Sequence, residues 1–370
     1  MDFRVEYGKI NVLMRYTGKD EDVVVPDDVD TIKCMAFFGR KNMKTVTIAN
    51  RVSVVCDEAF SDCDRLQSIT FGKSVTTIGK AVDCCDNLKE ILVQPGNPVY
   101  HSAGNCLIDT KKKELVLGCQ SSILPTDSSV TTIGDRAFLR CENLNHIDIP
   151  DTVTSIRERA FERCAGLTEI RFGKGLRTIG RQAFSWCTHL EEIVLPPNVT
   201  VIEKEAFSTC YNLRSVTIPD DLFHIGKYAF FDCDNLREIH YTGNIPILKQ
   251  VAMNADLGHW IFRHPSNFHP EDIRYCWEHF FGDLLDDDIV FSDWRFCMAE
   301  DFVKTFSREE LLNVENCGLI TKENGARVLE MFRKMENVEC TSELVRYLSH
   351  NRILGDFMEK FALELEEEEE

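Results

Sequence analysis

The sequence predicts an α+β repeat fold: a solenoid of stacked 23-residue repeats with a parallel β-sheet, followed by an α-helical C-terminal domain. The first observation is a pattern, V-x-x-I-x-x-x-A-F-x-x-C-x-x-L-x-x-I, that recurs five times between residues 130 and 241 at a constant step of 23. The second is strand-like alternation at the end of each repeat, and the third is the helical character of the sequence beyond residue 243. A fixed period in this range is the signature of a solenoid.

Each repeat combines a strand with a return limb. In the repeat around Leu167, the apolar residues Ile170 and Phe172 alternate with Glu169 and Arg171, which predicts a half-buried strand. The preceding Val-x-x-Ile-x-x-x-Ala-Phe-x-x-Cys segment places its last three apolar residues on a narrow arc if it winds as a helical turn. We therefore expect a short helical or irregular return limb. Stacking should join the strands into one parallel sheet and the limbs into the opposite wall.

The Ala-Phe-x-x-Cys-x-x-Leu-x-x-Ile signature resembles that of the BspA-type leucine-rich repeat family. The resemblance covers roughly two thirds of the chain and recurs in register. It implies a slightly curved, right-handed leucine-rich-repeat solenoid with the parallel sheet on its concave side. It also implies that the repeats bind other molecules and carry no catalytic residues. Some members of the family are surface proteins.

The first part of the chain, residues 1–243, is predicted to be the solenoid. Residues 1–25 read as an N-terminal β cap on the first open edge of the stack. The stretch 94–129 interrupts the repeats between Val82 and Phe138 and contains two apolar runs around a polar turn, which predicts a β-hairpin insertion. Insertions in solenoids often lie on a binding face, so this one is either a recognition lobe or a decorated loop.

Residues 244–370 are predicted to form an α-helical domain. Pro270 and the capping box at Ser307 mark helix starts, and further helices are expected to begin at Thr321 and Thr341. The aromatic residues around Trp260 to Phe296 fit a helical core. The final run of five glutamates is expected to be a solvated end.

Seven of the sixteen cysteines occupy one repeat position: Cys63, Cys85, Cys141, Cys164, Cys187, Cys210 and Cys233. Stacked side by side they would lie roughly 5 Å apart, which would allow some neighbours to form disulfides. The simpler interpretation is a ladder of small buried thiols. Because no C-x-x-C pair occurs, no structural zinc site is expected. The thiols and the absence of a signal-peptide pattern at the start favour the cytoplasm, whereas the family resemblance keeps a surface location open.

The net charge of −19 divides into −14 for residues 244–370 and −5 for residues 1–243. Neither part offers a basic stripe, so nucleic acid and anionic membranes are disfavoured as partners. No apolar run approaches the length of a membrane span. These observations leave a protein or peptide partner, bound by a chain that we expect to be a monomer.

The alternation also identifies the side chains that point outward from successive strands. Before the insertion they are polar except for Leu92. This surface is mixed in sign and poor in aromatic rings, unlike a sugar-binding or single-strand-binding face. It is either a partner-binding face or an ordinary solvated sheet. After the insertion, the candidate partner-binding residues are His146, Asp148, Glu169, Arg171, Glu192, Val194, Ser215, Thr217, Glu238 and His240.

No sequence motif supports catalysis or a cofactor. The histidines His259, His264 and His269 stand five apart, which puts their side chains on different helix faces, and prolines interrupt the segment. We therefore predict no metal site, no cofactor and no catalytic residue. The leading hypothesis is a non-enzymatic protein-interaction module. The alternatives are a surface adhesin-like binder of host or carbohydrate ligands and an enzyme housed in the helical domain.

Overall fold

The computed structural model describes residues 2–82, 84–233, 235–236 and 238–240, and in the C-terminal part 307–308, 311–312, 314, 320, 325–334 and 336–350. The chain divides into two compact units, Met1–Ile247 and Leu248–Glu370. The first is a parallel β-solenoid of about nine turns with a spacing of about 23 residues, and two helices are described in the second. The predicted repeat solenoid with a helical C-terminal region is confirmed.

The solenoid contains long strands and two-residue strands that mostly alternate along the chain. In chain order the strands are β1 (Phe3–Glu6), β2 (Val12–Tyr16), β3 (Asp22–Val24), β4 (Thr31–Ile32), β5 (Thr45–Thr47), β6 (Val54–Val55), β7 (Ser68–Phe71), β8 (Thr77–Ile78), β9 (Glu90–Val93), β10 (Tyr100–Ala103), β11 (Cys106–Asp109), β12 (Glu114–Leu117), β13 (Thr132–Ile133), β14 (His146–Ile149), β15 (Ser155–Ile156), β16 (Glu169–Phe172), β17 (Thr178–Ile179), β18 (Glu192–Val194), β19 (Val201–Ile202), β20 (Ser215–Thr217), β21 (His224–Ile225) and β22 (Glu238–His240).

The long strands form the first row, in parallel and in the register set by the repeat. His146 pairs with Glu169, for example, and Ser215 with Glu238. The row consists of three hydrogen-bonded ladders, β3-β5-β7-β9, β14-β16 and β18-β20-β22, rather than the single sheet predicted from the sequence. The insertion separates β9 from β14 along the chain. Nothing in the described residues explains the second break, between β16 and β18.

The return limbs form a second row of short parallel strands, which the sequence analysis did not predict. The Val-x-x-Ile part of each repeat supplies two residues to this row, as in β17. Of the two alternatives expected for the limb at Ala-Phe-x-x-Cys, helical or irregular, the structure has the irregular one. Gln182 and Trp186, which precede Ala183 and Cys187, have left-handed φ values of 55° and 65°, and the same two positions are left-handed in most repeats. A left-handed residue every fourth position breaks the α-helical path, so the limb is a pair of turns.

Backbone hydrogen bonds connect these turns from one repeat to the next. The Phe161 N–H donates to Ala183 O at 2.7 Å, and the Phe184 N–H donates to Ala206 O at 2.7 Å. The left-handed residue before each Ala adds another bond, as from Gln182 N to Lys204 O at 3.0 Å. The turns of successive repeats are therefore joined by a regular ladder of backbone hydrogen bonds. This ladder satisfies backbone groups that a buried loop would leave unpaired.

Phenylalanine rings and cysteine thiols stack inside this wall. The rings of Phe138, Phe161, Phe184, Phe207 and Phe230 are fully buried, and neighbouring centroids lie 4.8–5.3 Å apart with interplanar angles of 4–8°. The thiols at the repeat position next to these rings donate to the carbonyl of a phenylalanine in the preceding repeat in six cases: Cys63, Cys85, Cys164, Cys187, Cys210 and Cys233. The donor–acceptor pairs include Cys164 to Phe138 O at 3.1 Å, Cys187 to Phe161 O at 3.3 Å and Cys210 to Phe184 O at 3.3 Å.

The predicted ladder of buried thiols holds for four of the seven cysteines. Cys63, Cys164, Cys187 and Cys210 are buried, Cys85, Cys141 and Cys233 are partly buried, and none of the seven forms a disulfide. Burial raises the pKa of the Cys164 and Cys187 thiols well above its ordinary value, because the surroundings cannot solvate a thiolate. Cysteine suits this position because it is small and apolar yet carries one donor that reaches the carbonyl.

The stretch before the repeats and the stretch 94–129 have related architectures. β1 and β2 form an antiparallel hairpin, and β2 then pairs in parallel with β4. β10, β11 and β12 are antiparallel, and β12 then pairs in parallel with β13. Each stretch also joins the turn ladder at the end of its last antiparallel strand. Tyr16 N, at the end of β2, donates to Ala36 O, and Gly118 N, just after β12, donates to Ala137 O, both at 2.8 Å. The insertion thus starts a second block of repeats, as the N-terminal hairpin starts the first.

Two helices are described in the C-terminal unit: α1 (Gly325–Lys334) and α2 (Val338–His350). Val328, Leu329 and Phe332 of α1 are buried. The predicted start of the next helix at Thr341 is wrong, because α2 begins three residues earlier. Asn337 caps it by accepting the Cys340 N–H on Oδ1 at 3.1 Å, a role for which asparagine is well suited.

We predict that Phe184→Ala destabilises the solenoid by about 3–5 kcal/mol, because it removes a buried ring between two stacked rings and leaves a cavity. Equilibrium chemical denaturation of the full chain measures this cost. The matched control is Phe223→Ala, since the Phe223 side chain is 81% exposed. A cost below about 1 kcal/mol for Phe184→Ala would contradict the stacking.

We predict that iodoacetamide at pH 8 labels the exposed Cys34 in the native chain but not Cys164 or Cys187. Only the thiolate reacts, and burial keeps these two thiols protonated. The same burial raises the pKa of Cys106 from 9.0 to about 12. Above about pH 9 such a thiol ionises in the unfolded chain but stays neutral in the fold. The unfolded state is thereby favoured, so the free energy of unfolding should fall as the pH rises above about 9. Peptide mass spectrometry of the labelled chain shows which cysteines have reacted. Rapid labelling of Cys187 in the native chain would contradict the labelling prediction.

Candidate functional site

The outward side chains of the long strands, here called the outer face, contain the residues selected from the sequence. Buried Ile147 and Ile193 alternate with these side chains, so the face is held by a packed layer. The repeat register puts equivalent residues of hydrogen-bonded neighbours about one strand spacing apart, roughly 5 Å. Each outward position therefore forms a column of side chains across the strands of a ladder.

Four of the ten predicted residues meet in one ionic network on β14 and β16. His146 Nε2 lies 2.9 Å from Asp148 Oδ1, and His146 Nδ1 lies 3.6 Å from Glu169 Oε2. Arg171 completes the group, with its Nε 2.8 Å from Glu169 Oε1 and an Nη 3.8 Å from Asp148 Oδ1. The four side chains thus form a closed ring of contacts. The sequence pattern indicated that these residues share a face but not that they pair.

The network is open to solvent. The side chain of Arg171 is 65% exposed and that of Glu169 is 52% exposed. Exposed ion pairs of this kind contribute little stability, about 0–1 kcal/mol, because water screens them and ordering the side chains costs entropy. The group therefore leaves its polar atoms accessible to a partner.

The remaining predicted residues continue the face onto the next ladder. Glu192 is exposed, and the apolar side chain of Val194 is 54% exposed. Ser215 and Thr217 on β20 are partly buried. The last pair lies on β22, where Glu238 is in register with Ser215, and His240 is exposed. The face there combines two glutamates and a histidine with small and apolar side chains.

The outer face of the first block uses its polar groups internally. Thr45 Oγ1 donates to Asp22 Oδ1 at 2.8 Å, and Ser68 Oγ donates to Glu90 Oε2 at 2.7 Å. Each hydroxyl is thereby bonded to a carboxylate on the neighbouring strand. This part of the face presents carboxylates bonded to hydroxyls, whereas the ring on β14 and β16 also presents a cation, Arg171.

An exposed aromatic cluster lies on the turn side and was missed by the sequence analysis. The Arg163 guanidinium lies 5.4 Å from the centre of the Trp186 ring, in a cation–π contact. The Trp186 ring in turn packs edge-on against Tyr211, with centroids 6.1 Å apart. Arg163 and Trp186 are 23 residues apart and therefore stack, which is the signal that could have identified the pair.

The histidines considered for a metal site, His259, His264 and His269, lie outside the described residues. Within the described part of the chain, no group of three or more His, Cys, Asp or Glu side chains is arranged to hold a metal ion. A search of the same residues for a helix with the length and apolarity needed to span a membrane found none.

Comparisons with known proteins agree with the repeat architecture. The model of the BspA type leucine-rich repeat region matches residues 14–123 and 113–237, in six copies. No curated protein matches the chain. Among solved structures, the pneumococcal vaccine antigen PcpA is 25% identical with a TM-score of 0.52; the match covers 60% of this chain and 57% of that one. This chain therefore spans little more than half of the PcpA chain that it matches.

Two further structures are similar in fold at lower identity. A leucine-rich cell surface protein from Faecalibacterium prausnitzii is 20% identical with a TM-score of 0.45, over 68% of this chain and 96% of that one. A leucine-rich repeat protein from Bacteroides ovatus is 23% identical with a TM-score of 0.43, over 66% and 70% of the two chains.

We predict that Arg171→Ala changes the free energy of unfolding by less than about 1 kcal/mol, because the ring that it breaks is exposed and screened. Urea denaturation of the full chain measures the change, with Phe184→Ala as the destabilised reference. A loss above about 2 kcal/mol would show that the ring holds the strands together and would weaken its assignment as a recognition element.

Proposed function

The chain belongs to the BspA-type leucine-rich repeat family, and from this premise we propose that it is a non-enzymatic interaction module that binds a protein partner through the outer face of β14, β16 and β18. Proteins of this family are typically interaction or surface modules and typically lack enzymatic activity. Membership supports binding as the general role but names no partner.

The observation that carries the proposal is the ring of His146, Asp148, Glu169 and Arg171. Four charged or polar side chains are paired on a rigid two-stranded ladder although their pairing adds little stability. A partner with complementary charges would find these four groups exposed and joined by contacts of 2.8–3.8 Å on neighbouring strands. Charged pairs of this type contribute mainly to specificity and to the rate of association.

Val194 provides an apolar contact beside the ring. More than half of its side chain is exposed, and it lies on the strand that follows β16 along the long-strand row. Interfaces between proteins commonly join an apolar centre to a polar rim. A protein surface fits this arrangement better than a sugar, because the described part of the outer face carries no Phe, Tyr or Trp ring on which a sugar could stack.

A matched pair of charge reversals tests the proposal. The full chain serves as bait for affinity purification from a lysate of the source organism, beside the variants Arg171→Glu and Arg181→Glu. Both arginines are exposed and paired with a glutamate, Arg171 with Glu169 and Arg181 with Glu158 at 3.4 Å. Only Arg171 is on the outer face, so we expect Arg171→Glu alone to lose the partner.

Two results would contradict this assignment. If both variants retain the partner as the wild type does, the partner binds elsewhere. If the wild type retains no specific protein, the interaction role itself fails for that lysate. Cross-linking with mass spectrometry of the retained complex then identifies which strands lie next to the partner.

A surface role is the second candidate, supported by the likeness to a pneumococcal vaccine antigen. It requires that the chain reach the outside of the cell. Protease treatment of intact cells, followed by immunoblotting, tests this: loss of the protein supports a surface location, and protection of the protein argues against it.

A further inference from the structure

The row of short strands is interrupted at one junction, here called the seam, between β8 and the strands β12 and β13. The first sheet of this row ends at β8, and the next begins with β10. The repeats before the insertion and the repeats after it nevertheless touch at the turns that follow Cys85 and Cys141. There Asn143 Nδ2 donates to Asp86 O at 2.9 Å. The same bond joins ordinary neighbours, as from Asn87 to Asp64 O at 2.6 Å. At the seam the two sets of repeats are therefore in contact at the turns after Cys85 and Cys141, but their short strands do not pair.

Backbone acceptors are left open at the seam. In the ordinary step, the carbonyl of the Ile position accepts an N–H from the next repeat, as Val55 O does from Gly79 at 2.8 Å and Ile133 O does from Arg157 at 2.9 Å. Among the described residues, neither Thr76 O nor Ile78 O receives a backbone N–H. The Tyr100 hydroxyl of the insertion reaches the backbone of Ile78, so the open part of the β8 edge consists of these two carbonyls, to which a further strand could donate.

Core positions are also uncovered there. Ile78 and Gly79 are partly exposed, whereas the equivalent Ile133 and Gly134 are buried. Val82, also partly exposed, stands where other repeats have a buried phenylalanine. The smaller side chain shortens the stack of rings at this point, so packing alone does not close the gap.

The result is a cleft of about 280 Å³ between the blocks. Its floor is apolar and includes Val116, Leu117 and Leu139, all partly exposed. Partly exposed apolar side chains in one concave place are typical of a binding groove, since folding alone would favour covering them.

The rim of the cleft is acidic. Four carboxylates line it together with two cations, Lys80 and Arg136. Asp57 accepts the backbone N–H of Lys80 at 2.7 Å, and a third cation, Arg157, pairs with Glu114 at 3.1 Å. The remaining excess of one acid favours a ligand that brings a positive charge.

We propose that the cleft binds an extended peptide segment of a partner protein, which adds to the edge of β8, places an apolar side chain on the floor and presents a lysine or arginine to the acidic rim. Backbone N–H groups of a strand are the donors that Thr76 O and Ile78 O lack. Addition of a strand to an open sheet edge is an established mode of peptide recognition, in which the backbone supplies affinity and pockets supply specificity. The site is separate from the outer face and can be tested without it.

The experiment uses the full chain and a display library of random linear peptides about twelve residues long, whose extended reach exceeds the cleft. Enriched peptides are labelled, and their dissociation constants are measured by fluorescence polarisation. We expect them to share an apolar residue near a lysine or arginine. Hydrogen exchange of the complex should show new protection at residues 76–82 and 114–117.

Two variants locate the binding. Val82→Phe restores the ring that other repeats carry and narrows the cleft, so we expect affinity to fall about tenfold or more. Glu58→Lys removes an acid from the rim without new backbone strain, because the equivalent left-handed positions hold Arg136 and Gln182. It should weaken binding several-fold. Asp221→Lys, the same charge change at an exposed site of a distant repeat, should leave affinity unchanged.

Three outcomes would overturn the proposal. The library could enrich no peptide, or it could enrich peptides whose affinity neither Val82→Phe nor Glu58→Lys alters. Sedimentation velocity could show instead that the chain self-associates and that Val82→Phe abolishes this, which would make the cleft a contact between copies. Glu58→Lys keeps the test valid if Val82→Phe fails to fold, and circular dichroism decides which variants are native.

Discussion

The hydrogen bonds between equivalent backbone groups of successive repeats are the interaction on which the rest of the structure depends. They run along the strands and also along the turns, where Phe184 N bonds to Ala206 O. Because every turn repeats the backbone path of the previous one, each side chain lies beside its equivalent one repeat away. The ring stack and the thiol contacts follow from this alignment, since a ring at one step finds another ring at the next.

The same alignment explains how the molecule can present a recognition surface. The core positions are constrained to one residue type by stacking, whereas the outward positions of the strands carry no such constraint. His146 and Glu169 occupy one column, and Asp148 and Arg171 occupy the next. A few substitutions at such positions can therefore change the pattern of surface charge without changing the backbone or the core. Function in such a fold lies in the columns and stability in the core between them.

Much of the fold could be predicted from the period alone, because a repeated Ala-Phe-x-x-Cys fixes which residues must be buried. The path of the return limb could not. Its left-handed positions hold residues as different as Gln182, Trp186 and Arg136, so no residue type signals them, and an arc of apolar side chains fits a helix equally well. The pairing within the ionic ring was also beyond reach, since rotamers decide it. Asn337, by contrast, was a readable helix cap that the more obvious Thr341 obscured.

The seam shows what happens where the period fails. Two irregularities meet there: Val82 stands in place of a phenylalanine, and the next block begins with Gly118, which has no side chain and leaves room for the Phe138 ring. A glycine at that point allows the new block to start its own stack, but it contributes nothing to the wall beside Val82. The chain therefore interrupts its stack of rings at one place while keeping the corner contact through Asn143. An interruption that were only a defect would be closed most simply by a phenylalanine, the residue that most repeats already use. Its replacement by valine beside open carbonyls and an acidic rim is better explained by a ligand than by the fold.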